Sequence, residues 1–318
     1  MSDLLKNIDA RTKLAGTNKL EILLFTLGLD QRTGRRENFG INVFKVREVM
    51  RTPEITQAPE MPSAVEGMVS LRGHLIPVID LARYVGVRTD TRPDIMIVSE
   101  YNGQTQGFLV EAVDTILRLD WSQMRVPPEM LSNNLRGLVT AVTELDNGKL
   151  VMMLDVEKVL AETNELDDSH AFRAITPQSD LVGKTVFFAD DSLVARKQIE
   201  RTLDSMKINH MHAINGKRAW EELQRIAAYA ETVGKPVRDL VHLLLTDVEM
   251  PEMDGYMLTK QVKSDPRFAG IPVLMHSSLS GMSNQKLGHS VGVDAYVAKF
   301  EPQKLSEAVV HMLRHAHS

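Results

Sequence analysis

The stretch LLLTDVEMPEMDG, residues 243–255, decides the fold of the C-terminal half of this chain. Its apolar run, Leu243 to Leu245, is bounded by turn residues, a pattern that predicts a short strand buried on both faces of a parallel sheet. Asp247 follows at the end of that strand, and open α/β sheets place their ligands at this end. Taken alone, the segment is equally consistent with a polar strand end followed by an ordinary proline turn.

Three more apolar runs end on polar or charged side chains in the same way. In chain order, the runs and the residues after them are 185–189 before Asp190, Asp191 and Ser192, 271–276 before Ser277, and 295–298 before Lys299. Because the strands of a parallel sheet end at one edge, we expect these side chains to lie together. Asp190, Asp191 and Asp247 supply the hard oxygen ligands that Mg²⁺ prefers.

The remaining side chains suit the transfer of a phosphoryl group to Asp247. Lys299 adds a mobile positive charge for a phosphate, and Ser277 a hydroxyl that can turn towards it. The predicted chemistry is acyl-phosphate formation on an aspartate. Each residue also has a purely structural interpretation: Asp191 or Ser192 as a helix cap, Lys299 as a solvated charge, Ser277 as a turn residue. Their recurrence at four successive strand ends favours the functional interpretation.

This order of residues resembles the response-regulator receiver domain over about residues 181–318. The matching positions are Asp190-Asp191, Asp247, Met250-Pro251, Asp254-Gly255, Ser277 and Tyr296-Val297-Ala298-Lys299. The resemblance implies an α/β, (βα)5 flavodoxin-like fold, with helices near 192–206, 217–233, 255–264, 283–291 and 302–314. One departure is that proline, which receivers usually have directly after the lysine, is delayed here to Pro302, which leaves the shape of that loop open.

The resemblance also implies a role for each matching residue. Asp247 would be the phosphoacceptor, and Lys299 would contact the phosphate. Asp190, Asp191 and Asp247 would hold Mg²⁺ together with the backbone carbonyl of Glu249. Ser277 and Tyr296 would form a switch pair.

The N-terminal half has many short strand patterns separated by turn signals, which predict an all-β sandwich or barrel. The predicted strands are 21–29, 39–44, two that meet at the turn Arg72-Gly73-His74, then 94–99, 106–110, 113–119, 138–145 and 150–154. Asn147-Gly148 predicts a hairpin turn, and residues 46–50 predict one helical turn. Two short helices are predicted at 81–85, with Asp80 as its cap, and at 155–162. No enzyme constellation appears, so this half reads as a binding module.

The motif Gly67-Met68-Val69-Ser70-Leu71-Arg72-Gly73, followed by Ile76-Pro77-Val78-Ile79-Asp80-Leu81, is similar to the core motif of CheW-like coupling domains. The similarity spans about residues 18–162. It implies two intertwined SH3-like β-barrels that join chemoreceptors to the histidine kinase CheA. It also places Arg72 at the receptor or kinase contact, whereas the residues alone favour an exposed arginine packed over its own turn.

Composition limits the other possibilities. The 318 residues contain no cysteine, carry a formal net charge of −5 and include no long basic block, which argues against nucleic acid as the main partner. No apolar run reaches the roughly 18 to 20 residues of a membrane span, and residues 1–19 lack a secretory signal, so the cytoplasm is the default. Residues 1–17 are predicted to form an amphipathic helix. Residues 163–180 are predicted to form a polar, acidic linker.

A CheW-like module followed by a receiver is the arrangement of the CheV chemotaxis proteins. The resemblance implies a non-enzymatic adaptor in chemoreceptor arrays, whose receiver takes its phosphoryl group from the kinase and at most catalyses its own phosphotransfer and dephosphorylation. The alternative is a phosphate sink that drains the kinase, with the N-terminal half serving only localisation. A transcription regulator is disfavoured, because we expect the chain to end with the receiver's last helix. A metal site at His311, His315 and His317 is disfavoured against a frayed helix end.

Overall fold

The computed structural model describes residues 19–57, 64–101, 104–128, 137–163, 172, 175–277, 290–299 and 301–315. It divides into two compact units, one spanning Leu20–Glu165 and a second that contains Leu166–Ser318. The predicted N-terminal helix over residues 1–17 and most of the predicted helix over 283–291 lie outside the described residues. No helix in the described part of the chain is both long and apolar enough to cross a membrane.

Within its described residues, the first unit has ten strands and two short α-helices. The strands are β1 (Lys19–Thr26), β2 (Asn38–Asn42), β3 (Val46–Arg51), β4 (Val65–Leu71), β5 (His74–Asp80), β6 (Ile95–Tyr101), β7 (Gln104–Val110), β8 (Ala112–Asp120), β9 (Val139–Glu144) and β10 (Leu150–Leu154). The helices are α1 (Leu81–Val85) and α2 (Val156–Thr163). The strands form two five-stranded sheets, in the orders β8-β1-β2-β10-β9 and β3-β6-β7-β5-β4.

The two sheets are interleaved along the chain. The chain leaves the first sheet after β2, builds the whole second sheet from β3 to β7, and then returns with β8 to β10. Strand β10 closes the first sheet by pairing in parallel with β2, where Val151 lies opposite Asn38. One apolar cluster draws on both sheets, through Phe25 on β1 and Ile97 and Phe108 on two strands of the second sheet. The predicted all-β fold with two intertwined sheets is confirmed.

The predicted turns have the backbone geometry that their residues favour. Arg72 and Gly73 have φ angles of 52° and 83°, as a two-residue turn that matches the twist of its strands requires. Asp80 caps α1 by accepting a hydrogen bond from the backbone N–H of Arg83 at 3.0 Å. Asn147 accepts one from the N–H of Lys149 at 3.0 Å, within the hairpin that joins β9 and β10.

The helical turn predicted over residues 46–50 is wrong, because this segment forms β3. It pairs with β6 in antiparallel fashion, with Val49 opposite Ile97. The turn of 3₁₀ helix lies just upstream, at Val43–Lys45, and is capped by the side chain of Asn42. Burying Val46 in the shared core and completing the sheet outweigh the weak local preference of this short segment.

The second unit alternates strands and helices. The strands are β11 (Thr185–Ala189), β12 (Asn209–Ala213), β13 (Leu243–Thr246), β14 (Val273–Ser277) and β15 (Ala295–Ala298). The helices are α3 (Leu193–Met206), α4 (Gly216–Thr232), α5 (Gly255–Ser264) and α6 (Pro302–His315). All neighbouring strands pair in parallel, in the order β12-β11-β13-β14-β15. Pro302, the delayed proline, is the first residue of α6.

Both faces of this sheet are covered, as the continuous apolar runs predict. Phe188 and Leu245 pack with residues of α3 and α6, whereas Phe187 and Leu244 pack with residues of α4 and α5 on the other face. The carboxyl ends of β11, β13, β14 and β15 therefore meet at one edge of a fully covered sheet. The predicted α/β receiver fold is confirmed.

Part of the segment predicted to be a linker packs on the second unit. Phe172 and Ile175 are both buried in the apolar cluster formed by α3 and α6. The guanidinium of Arg201 lies 4.2 Å from the centre of the Phe172 ring. We call Phe172 with residues 175–181 the strap. The domain boundaries themselves stay predictions.

The strap is also held to α6 by polar contacts. Arg314 donates to both carboxylate oxygens of Asp180, at 2.8 and 3.1 Å, and to the side chain of Gln178 at 3.0 Å. The hydrogen bonds from Arg314 lower the pKa of Asp180. The pair is exposed, so we expect it to order the strap rather than to add much stability.

Arg314→Ala is expected to increase proteolytic cleavage within residues 175–181 about threefold, because cleavage tracks the population of the opened strap. The measurement is limited digestion of the full chain by a non-specific protease, with the cut sites identified by mass spectrometry. Arg225→Ala is the matched control, since Arg225 forms a similarly exposed pair with Glu222 on α4. Equal cleavage in the two variants would show that Arg314 does not hold the strap.

Candidate functional site

Two adjacent strands bring Asp190 and Asp247 together. Asp190 follows β11 and Asp247 follows β13, and the N–H of Asp247 donates to the carbonyl of Ala189 at 2.8 Å. Both carboxylates are buried. Ser192 caps α3, with its hydroxyl accepting from the N–H of Ala195. The cap is therefore Ser192 and not Asp191.

Lys299 provides the counter-charge for both buried acids. Its Nζ atom lies 2.9 Å from Oδ2 of Asp190 and 2.9 Å from Oδ2 of Asp247, and its side chain is 2% exposed. Burial raises the pKa of Asp190, but the ammonium of Lys299 and the ring of His276 outweigh burial and hold that pKa below its usual value. Asp190 is therefore ionised at neutral pH. The interpretation of Lys299 as a solvated surface charge is wrong.

Asp190, Asp191 and Asp247 have carboxylate oxygens that all lie within 4.8 Å of one another, as the sequence predicts. Among the described residues this is the only such group of three acids or histidines. Hard oxygen ligands at the open end of a sheet fit a small divalent cation such as Mg²⁺. Lys299 contacts Oδ2 of both Asp190 and Asp247, whereas Oδ1 of each acid accepts a backbone hydrogen bond, from the N–H of Ser192 and of Val248 respectively.

Backbone hydrogen bonds hold the loop after β13 close to Asp247. Oδ1 of Asp247 accepts from the N–H of Val248 at 2.7 Å, and the N–H of Gly255 donates to the carbonyl of Val248 at 2.9 Å. A Cβ atom on Gly255 would lie 1.9 Å from the carbonyl oxygen of Asp247, so only glycine fits there. Asp254 then caps α5 by accepting from the N–H of Met257 at 2.6 Å. Half-buried Glu249 lies on this loop.

The two predicted switch residues lie on neighbouring strands. Ser277 ends β14, is buried, and lies opposite Ala298. Tyr296 lies on β15 opposite Met275 and packs against a small apolar cluster beside the site. The backbone N–H of Lys299 donates to the carbonyl of Ser277 at 3.2 Å, which joins the ends of the two strands.

His276 is a site residue that the sequence analysis missed. It is 1% exposed, and its Nδ1 lies 3.9 Å from Oδ2 of Asp190. A signal was present, because His276 is a polar residue in an otherwise apolar strand, directly before Ser277. A lone histidine in a strand is more often a satisfied core residue, which is why the pattern alone does not identify it.

Arg72 lies in the other unit and is largely exposed on its turn. Its Nη2 donates to Oε2 of Glu48 at 2.9 Å, and 64% of its side chain is exposed. Leu75, the second residue of β5, is 70% exposed, so a large apolar side chain is also at the surface shortly after the turn. The geometry fits both a surface arginine paired within its own sheet and a contact residue for a partner.

Two family models match the two halves of the chain. Residues 21–164 match the CheW-like domain, and residues 186–310 match the response regulator receiver domain. These matches agree with the interleaved β-sheets of the first unit and with the parallel sheet and acidic edge of the second.

Known relatives match either the whole chain or one half of it. Chemotaxis protein CheV3 of Helicobacter pylori is 29% identical over 93% of this chain and 95% of its own length. Chemotaxis protein CheW of Klebsiella aerogenes is 30% identical over 47% of this chain and 87% of its own length. Chemotaxis protein CheY1 of Helicobacter pylori is 37% identical over 37% of this chain and 87% of its own length.

The chain is therefore a chemotaxis coupling adaptor that carries a receiver domain. It combines a CheW-like domain with a response regulator receiver domain, and over nearly its whole length it is similar to chemotaxis proteins CheV3 and CheV1 of Helicobacter pylori, each 29% identical.

Lys299→Met is expected to lower the free energy of unfolding of the receiver by about 3 kcal/mol, because two buried carboxylates lose their counter-charge. The measurement is hydrogen exchange of β11 and β13 amides in the full chain. Lys304→Met is the control, since Lys304 pairs with Glu301 at the surface and an exposed pair contributes less than about 1 kcal/mol. Similar losses in both variants would contradict the buried role of Lys299.

Proposed function

We propose that the receiver accepts a phosphoryl group on Asp247 and that this modification regulates coupling between chemoreceptors and the histidine kinase CheA. The observation that carries the proposal is the ammonium of Lys299 held 2.9 Å from both Asp190 and Asp247 at the open edge of the sheet. A carboxylate oxygen of Asp247 forms the new P–O bond, while the bond from phosphorus to the donor histidine nitrogen breaks. The donor imidazole leaves with the electron pair and takes up a proton.

The residues around Asp247 would offset the negative charge of the transferred phosphoryl group. Lys299 already contacts Asp247 and is placed to pair with a phosphoryl oxygen. Asp190, Asp191 and Asp247 would hold Mg²⁺ with the backbone carbonyl of Glu249. When bound, Mg²⁺ supplies positive charge that offsets both the repulsion among the acids and the charge of the phosphoryl oxygens.

Phosphorylation of Asp247 would be read by Ser277 and Tyr296. The group brings about −1.5 to −2 charge and three acceptor oxygens, one of which Ser277 can donate to. Ser277 would then move towards the phosphoryl group, and Tyr296 would rotate towards the space that Ser277 leaves. Shifting such a two-state equilibrium from 1:99 to 99:1 takes a free-energy preference of about 5.5 kcal/mol for the active state. Two or three charge-assisted hydrogen bonds, at roughly 1.5 to 3 kcal/mol each, are of the right size.

The CheW-like domain would bind receptors and CheA in arrays at the cytoplasmic face of the membrane, without inserting into the membrane. Arg72 is the residue of this domain that we assign to a partner contact, because its side chain is 64% exposed on the turn and Leu75, on the following strand, is 70% exposed. Arginine is enriched among the residues that dominate protein interfaces.

Asp247→Asn is expected to abolish phosphorylation of the full chain by acetyl phosphate or by phosphorylated CheA, because the amide lacks a nucleophilic oxygen. Intact-mass measurement detects the added phosphoryl group in the wild type. Removing Mg²⁺ with a chelator should suppress the addition to the same extent.

Asp239→Asn, at an exposed acid of the same receiver, is the control and should be phosphorylated normally. An adduct that survives in Asp247→Asn would contradict the assignment of the phosphoacceptor. In cells, an adaptor with Asp247→Asn should still couple receptors to the kinase, whereas a phosphate sink would lose its whole effect.

Arg72→Ala is expected to reduce the co-purification of receptor or kinase at least tenfold, because truncating an interface arginine costs about 2 kcal/mol or more in binding. Its melting temperature should stay near that of the wild type, since exposed substitutions change stability by less than about 0.5 kcal/mol. Arg47→Ala is the matched control, because Arg47 forms an exposed pair with Glu100 in the same sheet. Equal binding by both variants would leave Arg72 as a surface residue only.

A further inference from the structure

Tyr256 is a buried tyrosine beside the proposed switch that the phosphorylation chemistry does not use. It is the second residue of α5 and is 2% exposed. Its ring packs with Val248, Met275 and Val293, and Tyr296 packs against the same cluster. A buried phenol needs a hydrogen-bond partner, because an unsatisfied hydroxyl costs free energy on burial.

The partner of the Tyr256 hydroxyl is the hydroxyl of Tyr296. Burial, together with Tyr296 and the nearby carboxylates of Asp254 and Glu249, raises the pKa of Tyr256 above its usual value. The hydroxyl therefore keeps its proton at any physiological pH.

Tyr256 is fixed in position relative to Asp247. Asp254 caps the helix that Tyr256 begins, and Gly255 is closed against the Asp247 carbonyl. Tyr296, in contrast, lies on β15, at the edge of the sheet. The two hydroxyls thus join the start of α5, which follows the phosphoacceptor loop, to the strand that carries the switch residue.

Rotation of Tyr296 towards Ser277 would break this hydrogen bond. Ser277 lies opposite Ala298, two residues along β15 from Tyr296, whereas Tyr256 lies in the cluster that Tyr296 packs against, so the position beside Ser277 and the bond to Tyr256 would be alternatives for the phenol. An interaction made in only one of two states shifts the balance towards that state.

We propose that Tyr256 is a positioning residue that holds Tyr296 away from Ser277 and thereby sets how much phosphorylation the switch requires. This inference rests on the switch role proposed above for Ser277 and Tyr296. Tyr256 contacts neither the phosphoryl group nor the donor, so it acts only through Tyr296.

The test is a titration of the full chain with beryllofluoride, which stands in for the phosphoryl group, in the presence of Mg²⁺. The amide resonances of Val297 and Ala298 report the state of β15. Tyr256→Phe keeps the ring and removes only the hydroxyl, so it should lower the midpoint of the transition about fivefold, or ~1 kcal/mol. Tyr229→Phe, at a tyrosine that is 59% exposed, should leave the midpoint unchanged.

A double-mutant cycle tests whether the two hydroxyls act together. Tyr296→Phe should shift the midpoint as Tyr256→Phe does, and the double variant should shift it no further, because both remove the same bond. A midpoint in Tyr256→Phe that equals or exceeds that of the wild type overturns the inference, as does an additive double variant.

The beryllofluoride titration separates a failure of the switch role of Tyr296 from a failure of the role of Tyr256. If the amides of Val297 and Ala298 in the wild type do not respond to beryllofluoride, the switch role of Tyr296 is wrong and the inference falls with it. If they respond in the wild type with the same midpoint as in Tyr256→Phe, the switch stands and only the role of Tyr256 is wrong.

Discussion

The ammonium of Lys299, 2.9 Å from each of two buried carboxylates, is the contact on which the rest of the receiver's site depends. Asp190 and Asp247 end adjacent strands, and without a positive charge between them their burial would be strongly unfavourable. The same contact fixes the end of β15 against the ends of β11 and β13. The geometry that stabilises the acids thus also places a cation where a transferred phosphoryl group would add negative charge.

Most of this site was predictable because parallel strands impose their geometry on the sequence. A short apolar run can be buried on both faces only in the middle of a covered sheet, and the next residue then falls at the ligand-binding edge. Asp190, Asp247, Ser277 and Lys299 each follow such a run. In the first unit, turn residues such as Arg72-Gly73 and Asn147-Gly148 mark the hairpins for an equally local reason.

The features that the sequence did not reveal all depend on contacts between distant segments. His276 faces Asp190 only because β14 lies near β11 across β13, and Tyr256 meets Tyr296 only after α5 packs on the sheet. Residues 46–50 form a strand because β6 pairs with them. Phe172 and Ile175, in a stretch with a linker's composition, are buried against α3 and α6. No local periodicity records such partners.

The interleaved sheets of the first unit also affect how the protein folds. Because Val151 on β10 pairs with Asn38 on β2, the first sheet cannot be completed until nearly the whole coupling domain has left the ribosome. Long-range pairings of this kind close slowly, since the loop entropy is lost before any contact is gained. During synthesis, the apolar faces of β1 and β2 must therefore wait for distant strands, and until those strands arrive the exposed faces favour aggregation.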